Sequence, residues 1–388
     1  MLDHNVDREG MTQTVIGTAK PPRPGGCTFI FEETEHPEGG ELKTFTFTDV
    51  DIKPRGYEEL VEAKLHQAIT IPLEMYNGRI LETNIEGVDL SKYAHIRTTL
   101  QSPFTAQAIG LVRGGWLPSP LAATQEKAIV IPDRNIVSEV SGRFDGGQTV
   151  GREPDFLDLF AGMQVKISPV LAAIEGNGRA FPMPAEAREQ LDEVVKKFKR
   201  ALPQATLMVG PYSLKGLLGL IEDMRPGFER EQMLLKELAP SLSKPTARHK
   251  MDARWDAVFE AVDRHQVPRS SLLVLAMLSA LVHPTGQCAS KRLLKPHANY
   301  TDGDAYNALS DLMALELLLY VLAFFPEFET QICTKDRQLA LFWVGVGAHD
   351  IRREGNGICY SLTPHAAILP EPYVERWAEE VSRDGILL

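Results

Sequence analysis

Apolar and polar residues alternate along two short segments near the N-terminus, and helical spacing replaces this alternation further along the chain. The alternation over 27–33 and 43–52 predicts a β-hairpin with a polar connection that contains Pro and Gly. From about residue 127, short apolar runs alternate with helical patterns, which is typical of an α/β fold with a mostly parallel sheet. Between about 205 and 298 the patterns are helical, so we expect a helical insertion there.

These patterns divide the chain of 388 residues into three parts. Residues 1–26 are polar and end in a Pro- and Gly-rich run, which predicts a flexible lead-in. Residues 27–120 predict an N-terminal α+β extension, and residues 121–388 predict the α/β domain that includes the insertion. A long helix, predicted over 304–325, is apolar almost all round and should therefore be buried.

The composition excludes some classes of protein but does not indicate an activity. A net charge of −11 argues against a protein that coats nucleic acid with its whole surface. Residues 241–297 nevertheless hold nine Lys and Arg against four Asp and Glu, so a local basic surface remains open. Four Cys without paired spacing indicate reduced thiols. The polar N-terminus and the short or interrupted apolar stretches predict a cytoplasmic protein that does not contact a membrane.

Two strand-like apolar runs end close to an aspartate that a helical pattern follows. The run 128–132 ends at Asp133, and the run 330–334 is followed by Lys335 and Asp336. Because parallel strands bind ligands at the edge formed by their carboxyl ends, we expect both aspartates on neighbouring strands, close enough to share an ion. Asp is also a favoured helix N-cap, which explains either residue alone, and the two roles can coexist.

Two further acidic positions lie on predicted helices between these aspartates. Glu175 closes an apolar helix that starts at Ser168 and Pro169, and its alternative interpretation is a solvated residue beside a glycine. Asp304, Asn307 and Asp311 are spaced so that they share one helix face, which either is buried or forms the solvent side. Mg²⁺ and Mn²⁺ prefer hard oxygen ligands, and such ions activate water and neutralise charge on a phosphodiester.

Taken in order, these segments resemble the PIN-domain nucleases. The resemblance rests on four segments: Ile131-Pro132-Asp133-Arg134-Asn135, Ile167-Ser168-Pro169 through Glu175, Asn307-Ala308-Leu309-Ser310-Asp311 and Cys333-Thr334-Lys335-Asp336. It implies a doubly wound, mostly parallel sheet, a site for Mg²⁺ or Mn²⁺, and cleavage of phosphodiester bonds, most often in RNA. It also implies a role as a toxin or defence effector, which such enzymes often have.

Carried over position by position, the resemblance makes four residues metal-site acids: Asp133, Glu175, Asp311 and Asp336. Thr334 would support the site, and Asp304 and Asn307 are secondary candidates. The long separation between Glu175 and Asp311 departs from the family pattern and requires the helical insertion. The 120 residues before the first strand of the α/β pattern also lie outside that pattern.

Lys291, Arg292 and Lys295 precede the helix of Asp311 and are candidate contacts for the phosphates of RNA or single-stranded nucleic acid. The competing hypothesis is a non-catalytic PIN-like scaffold that binds a protein partner, or a second copy of itself, through the N-terminal extension or the insertion. A third hypothesis is a phosphatase of the haloacid-dehalogenase type with Asp133 as nucleophile. Asn135 opposes it because it replaces the acid that would protonate the leaving group.

Overall fold

A computed structural model of the chain describes residues 12–16, 28–32, 42–175, 178–284 and 288–382. Most of the predicted lead-in and the hairpin connection at 33–41 therefore lie outside the described residues. The N-terminal elements are β1 (Thr12–Ile16), β2 (Thr28–Glu32), β3 (Thr44–Thr48), β4 (Asp51–Ile52), α1 (Tyr57–Glu62), β5 (Ile69–Thr83) and β6 (Tyr93–Ser102).

These strands form an antiparallel sheet with the order β1-β6-β5-β3-β2, in which β4 pairs with β5. The predicted hairpin is confirmed as β2 paired with β3. Strand β1 lies inside the segment that the sequence predicts as a lead-in. In β5 the side chains of Ile69, Ile71 and Leu73 are buried while Thr70 and Pro72 are exposed, so one face of the strand supplies the core.

A second sheet carries the predicted strand ends. The elements around it are β7 (Ile109–Val112), β8 (Gly115–Pro118), α2 (Ser119–Ala122), β9 (Ile129–Pro132), α3 (Arg134–Arg143), β10 (Phe144–Asp145), β11 (Gln148–Thr149), β12 (Lys166–Ile167), α4 (Val170–Ile174), α5 (Pro184–Ala201) and β13 (Thr206–Leu207). The C-terminal elements are α6 (Pro211–Leu242), α7 (Met251–His265), α8 (Leu272–Val282), α9 (Ala289–Leu294), α10 (Asp302–Phe324), β14 (Thr330–Thr334), α11 (Arg337–Val346), β15 (Ala348–Glu354), β16 (Gly357–Leu362) and α12 (Tyr373–Ser382).

The strand order in this second sheet is β13-β12-β9-β14-β7-β8. The first four strands are parallel, whereas β7 and β8 add an antiparallel edge. The α/β class is therefore confirmed at the level of a mixed α/β fold with several sheets. β7 and β8 belong to the segment predicted as the N-terminal extension, so part of that segment completes the sheet.

Helices cover both faces of the two central strands, which are buried along their whole length. Val130 and Cys333 pack into a hydrophobic cluster with residues of α3 and α5. Ile131 and Ile332, one residue along each strand, pack into the larger cluster that includes α8, α10 and α11. Because successive side chains of a strand point to opposite faces, this division places the sheet between two helical layers.

The predicted insertion consists of helices α6 to α9, and the described residues 208–294 contain no strand. The long helix α10 follows it. Among the described residues, α10 is the one helix long and apolar enough to cross a membrane, and 67% of its most apolar window is buried inside the protein. In this fold α10 therefore serves as a core helix that packs against α6, α8 and β14.

Hydrogen bonds tie the N-terminal segment to the helix that follows β14. The Arg337 guanidinium, at the first position of α11, donates to the carbonyls of Leu60 at 2.8 Å and Val61 at 2.7 Å. The Trp343 indole N–H, further along α11, donates to the Val112 carbonyl at 3.0 Å. The orientation of α11, and with it the turn that holds Asp336, therefore depends on residues 60–115.

Candidate metal centre

Asp133 and Asp336 follow neighbouring strands of the parallel sheet, as the sequence predicts. β9 pairs with β14 from Ile129 opposite Thr330 to Pro132 opposite Cys333. The register continues one residue further, since the Asp133 N–H donates to the Cys333 carbonyl at 3.0 Å. Both carboxylates therefore lie at the same edge of the sheet.

Each of these aspartates also caps the helix that begins after it. Asp133 Oδ1 accepts a hydrogen bond from the Ile136 N–H at 2.7 Å at the start of α3. Asp336 Oδ1 accepts from the N–H groups of Gln338 at 2.7 Å and Leu339 at 3.1 Å at the start of α11. The N-cap interpretation is confirmed for both residues, and the cap bonds of Asp336 leave its Oδ2 to other interactions.

Thr334 connects the two aspartates through one hydroxyl group. It is fully buried, and its Oγ1 donates to Asp133 Oδ2 at 2.6 Å while it accepts the Asp336 N–H at 2.9 Å. A single hydroxyl thus fixes the rotation of one carboxylate and the backbone direction of the other.

Glu175 and Asp311 join this edge from two helices. Glu175 is the C-cap residue of α4, and Asp311 lies one helical turn beyond Asn307 on α10. The Tyr306 hydroxyl on α10 donates a short hydrogen bond to the Glu175 carbonyl, which links the two helices beside the site. Burial raises the pKa of Glu175 well above its usual value, and the charges of Asp133 and Asp311 raise it further.

Burial and neighbouring negative charges also raise the pKa values of Asp311 and Asp133. Burial is the main cause that raises the pKa of Asp311 to about 7, and the charges of Asp336 and Asp133 add to it. Burial also raises the pKa of Asp133 to about 6, with a further contribution from Asp336, although hydrogen bonds from Thr334 and the Ile136 backbone oppose the shift. Asp133 and Asp336 therefore share one edge of the sheet, and the like charges that act on Glu175 and Asp311 come from the same set of acids.

The donor set suits a hard divalent cation. Four carboxylates supply oxygen ligands, and their mutual repulsion is the kind of electrostatic cost that a divalent ion removes. Among residues 12–382 as far as the structure describes them, no three His, Cys, Asp or Glu side chains already stand as ligands around one point. Each carboxylate oxygen of Asp133 and Asp336 that accepts a cap hydrogen bond keeps a second lone pair that a cation can use.

Two exposed cations act on separate members of the acidic set. Lys295 follows α9 with its backbone in the left-handed region at φ 48°, and its charge lowers the pKa of Asp311 against the effect of burial. Arg134 is the first residue of α3, and both its charge and its backbone N–H oppose the raised pKa of Glu175. Arg292, a predicted phosphate contact, is also exposed.

Lys291 has to be removed from the predicted phosphate contacts. Its side chain is 8% exposed, and its ammonium donates to the His283 carbonyl at 2.7 Å. Burial lowers the pKa of this lysine. The basic run at 291–295 gave no sign of this, because the carbonyl to which Lys291 donates belongs to His283, eight residues earlier.

The secondary candidates have other roles. Asp304 Oδ2 accepts hydrogen bonds from the Thr301 N–H at 2.9 Å and hydroxyl at 2.6 Å, and lies 3.2 Å from the His297 imidazole. Asp304 therefore belongs to the capping box of α10, and its described contacts are with Thr301 and His297 rather than with the four acids. Asn307 is exposed one turn before Asp311.

Sequence reasoning missed Glu139 and Tyr306. Glu139 lies on α3 and accepts a hydrogen bond from the Lys335 ammonium, within the turn that carries Asp336, at 3.1 Å. The sequence carries no local signal for this contact, because Glu139 and Lys335 are 196 residues apart. Tyr306 had no signal either, since an aromatic residue on an apolar helix predicts core packing.

Comparisons with protein-family models, with curated protein sequences and with solved structures give no match to this chain.

Proposed function

We propose that the chain is a divalent-metal-dependent nuclease with a PIN-like, doubly wound sheet, which cleaves phosphodiester bonds in RNA or single-stranded nucleic acid. The observation that carries the proposal is the convergence of Asp133, Glu175 and Asp311, each with a raised pKa, with Asp336 at one edge of the sheet. The parallel strand order β13-β12-β9-β14, with helices on both faces, supports the proposed fold.

In this proposal the four carboxylates hold one or more Mg²⁺ or Mn²⁺ ions. A bound ion would lower the pKa of water and neutralise charge on the phosphodiester. Thr334 keeps Asp133 turned towards its neighbours, and the caps at α3 and α11 keep both aspartates at the ends of their strands. Lys295 and Arg134 are cations that can contact phosphate oxygens beside the acids.

Two features of the site favour an enzyme over a scaffold. Acids whose pKa stays raised despite the nearby cations Lys295 and Arg134 cost stability, and a scaffold gains nothing from that cost. The arrangement also uses acids from four separate segments, 133, 175, 311 and 336, which helix capping alone explains only for the first and last. A cytoplasmic location and a protein partner for the N-terminal extension remain predictions.

The decisive experiment combines Asp133→Asn with Asp336→Asn. Asn is as good an N-cap as Asp, so we expect the fold to persist, as circular dichroism would measure. Cleavage of single-stranded RNA with Mn²⁺ should fall by roughly 1000-fold, because loss of even an outer partner of a metal ligand costs about 10- to 100-fold. Calorimetric titration should show that Mn²⁺ binding is lost as well.

The matched control is Asp304→Asn, which changes an aspartate on α10 that serves its capping box. This variant should keep both Mn²⁺ binding and cleavage. Unchanged cleavage in the double variant would refute the proposal, and so would a wild-type protein that binds no Mn²⁺.

A further inference from the structure

Lys335 lies between the two site residues of its turn and reaches away from them. It separates Thr334 from Asp336, and its ammonium lies 3.1 Å from Glu139 Oε2 on α3. Successive side chains of extended backbone point to opposite sides, so Thr334 reaches Asp133 from one side of the chain while Lys335 reaches α3 from the other. The turn after β14 is thus attached to α3 and its cap residue at two points.

The acceptor of this contact is itself held in place. Glu139 Oε1 accepts from Arg143 Nε at 3.1 Å and from the Arg152 guanidinium at 2.9 Å. Arg143 in turn donates to Asp158 at 2.8 Å. Burial raises the pKa of Glu139, but the hydrogen bonds from Lys335 and Arg143 outweigh it, so the pKa is lowered. Glu139 is therefore an ionised and anchored carboxylate.

Two attachments restrict the turn more than one does. The Thr334–Asp133 hydrogen bond ties the turn that carries Asp336 to the end of β9. The Lys335–Glu139 ion pair supplies a second point and so fixes the separation of the two strand-end carboxylates. Small displacements matter here, because a metal site that is misaligned by about 1 Å loses much of its function.

We propose that Lys335 and Glu139 are positioning residues that set the spacing of Asp133 and Asp336 for a divalent cation. This inference rests on the proposed function, since it concerns the same metal centre. It predicts that Lys335 favours the binding of a cation, although the positive charge of this lysine by itself repels the cation. A purely electrostatic view predicts the reverse, namely that removal of a nearby positive charge strengthens cation binding.

The test is calorimetric titration of the full chain with Mn²⁺ alone, without nucleic acid. Lys335→Met should weaken Mn²⁺ binding by about 10-fold, in the range known for outer partners of metal ligands. Lys335→Arg, which keeps the charge and can reach Glu139, should restore most of the affinity. Glu139→Gln should weaken binding, and adding it to Lys335→Met should cause little further loss, because both changes break the same contact.

The matched control is Arg152→Met, which removes a different ion pair of the same Glu139 carboxylate and leaves Lys335 in place. A merely structural role of Glu139 predicts equal effects of Arg152→Met and Lys335→Met on both thermal unfolding and Mn²⁺ affinity. Equal Mn²⁺ affinities in those variants, or tighter binding by Lys335→Met, would overturn the inference while the proposed function stands. Absence of Mn²⁺ binding by the wild type would instead overturn both.

Discussion

Two regions of the molecule bury a carboxylate to a similar extent and give it opposite electrostatic surroundings. Glu74 on β5 is 7% exposed, and Asp133 is 6% exposed. Glu74 lies 2.8 Å from the Lys53 ammonium, 2.7 Å from the Arg97 guanidinium and 3.3 Å from the His95 imidazole. Hydrogen bonds, of which the one from Lys53 is the largest contribution, hold the pKa of Glu74 far below its usual range.

At the edge of the parallel sheet the surroundings of the carboxylates have the opposite sign. Asp133 receives hydrogen bonds from a hydroxyl and a backbone N–H, which are neutral donors, and its strongest charged neighbour is another aspartate. The two residues are similarly little exposed, but burial is the first cause of the raised pKa of Asp133 and a minor one for Glu74, so depth and the supply of cations both contribute to the difference. One region has cations in direct contact with its carboxylate, whereas at the other Lys295 and Arg134 offset the raised pKa values only in part. The second arrangement is the one that an added cation would stabilise.

The largest expected difference is between substitutions of one glutamate in each region, which should change cleavage and stability in different ways. Glu175→Gln should reduce Mn²⁺-dependent cleavage by roughly 100-fold or more, since it removes a ligand oxygen charge. It should also raise the metal-free unfolding temperature at about pH 9, because an ionised buried acid beside like charges is lost. Glu74→Gln should leave cleavage unchanged and destabilise the protein by no more than about 1 kcal/mol, because the partners Lys53 and Arg97 are exposed and solvent screens these ion pairs.

The comparison fails if both variants shift stability in the same direction in the absence of metal. Denaturant unfolding of both proteins, at the same pH and without divalent ions, gives the two free energies of unfolding. Cleavage assays with Mn²⁺ then show whether the region with raised pKa values is also the region that supports activity.

The residues at the strand ends show best how much of the candidate site could be predicted from the sequence. Asp133 and Asp336 were predictable because a strand, a cap residue and a helix follow one another within a few residues. Their adjacency followed from the rule that parallel strands share an edge. Glu175 and Asp311 were predictable only in combination with those two, since each alone reads as an ordinary helix residue. The resemblance to PIN-domain nucleases supplied that combination.

The ion pairs between residues far apart in sequence could not be predicted from local sequence patterns. Glu74 and its partners lie on different strands, and Lys53 is 21 residues away in sequence from Glu74. The same holds for Lys335 and Glu139, which are 196 residues apart. Local periodicity assigns such residues to the surface, because it has no information on which strands become neighbours. Lys291 shows the converse error, since a residue in a basic run became buried on a loop carbonyl.

The next effect concerns the pH dependence of stability without and with metal. The folded pKa values of Asp133 and Asp311, about 6 and about 7, exceed their ordinary value of 3.8. Both groups therefore bind protons more tightly in the folded state, so metal-free stability should fall as the pH rises from about 4 to about 7. Glu74 has a lowered pKa and contributes in the opposite direction, with stability lost as the pH falls below its usual range.

Mn²⁺ should restore the stability that the acidic edge loses, because it competes with protons for the same carboxylates. The rise in unfolding temperature on addition of Mn²⁺ should be small at about pH 5 and large at about pH 8, where about 3 kcal/mol is expected at a concentration 100 times the dissociation constant. Differential scanning calorimetry at both pH values measures it. In Glu175→Gln the metal-dependent rise should shrink, and in Glu74→Gln it should persist.

The smallest effect tests the exposed lysine beside the acidic edge. Lys295 is the cation that lowers the pKa of Asp311, so Lys295→Gln should raise that pKa and remove a positive charge that repels a metal ion. Mn²⁺ affinity should therefore increase by about two-fold, as expected for a charge in largely aqueous surroundings. KM for single-stranded RNA should increase by about two- to five-fold, because a phosphate contact is lost.

Arg292→Gln, on the same exposed stretch, should change KM less and leave the Mn²⁺ affinity unchanged. If Lys295→Gln instead weakens Mn²⁺ binding, the lysine orders the site rather than opposing its metal, and the contrast with the neutralised carboxylate of Glu74 loses one of its supports.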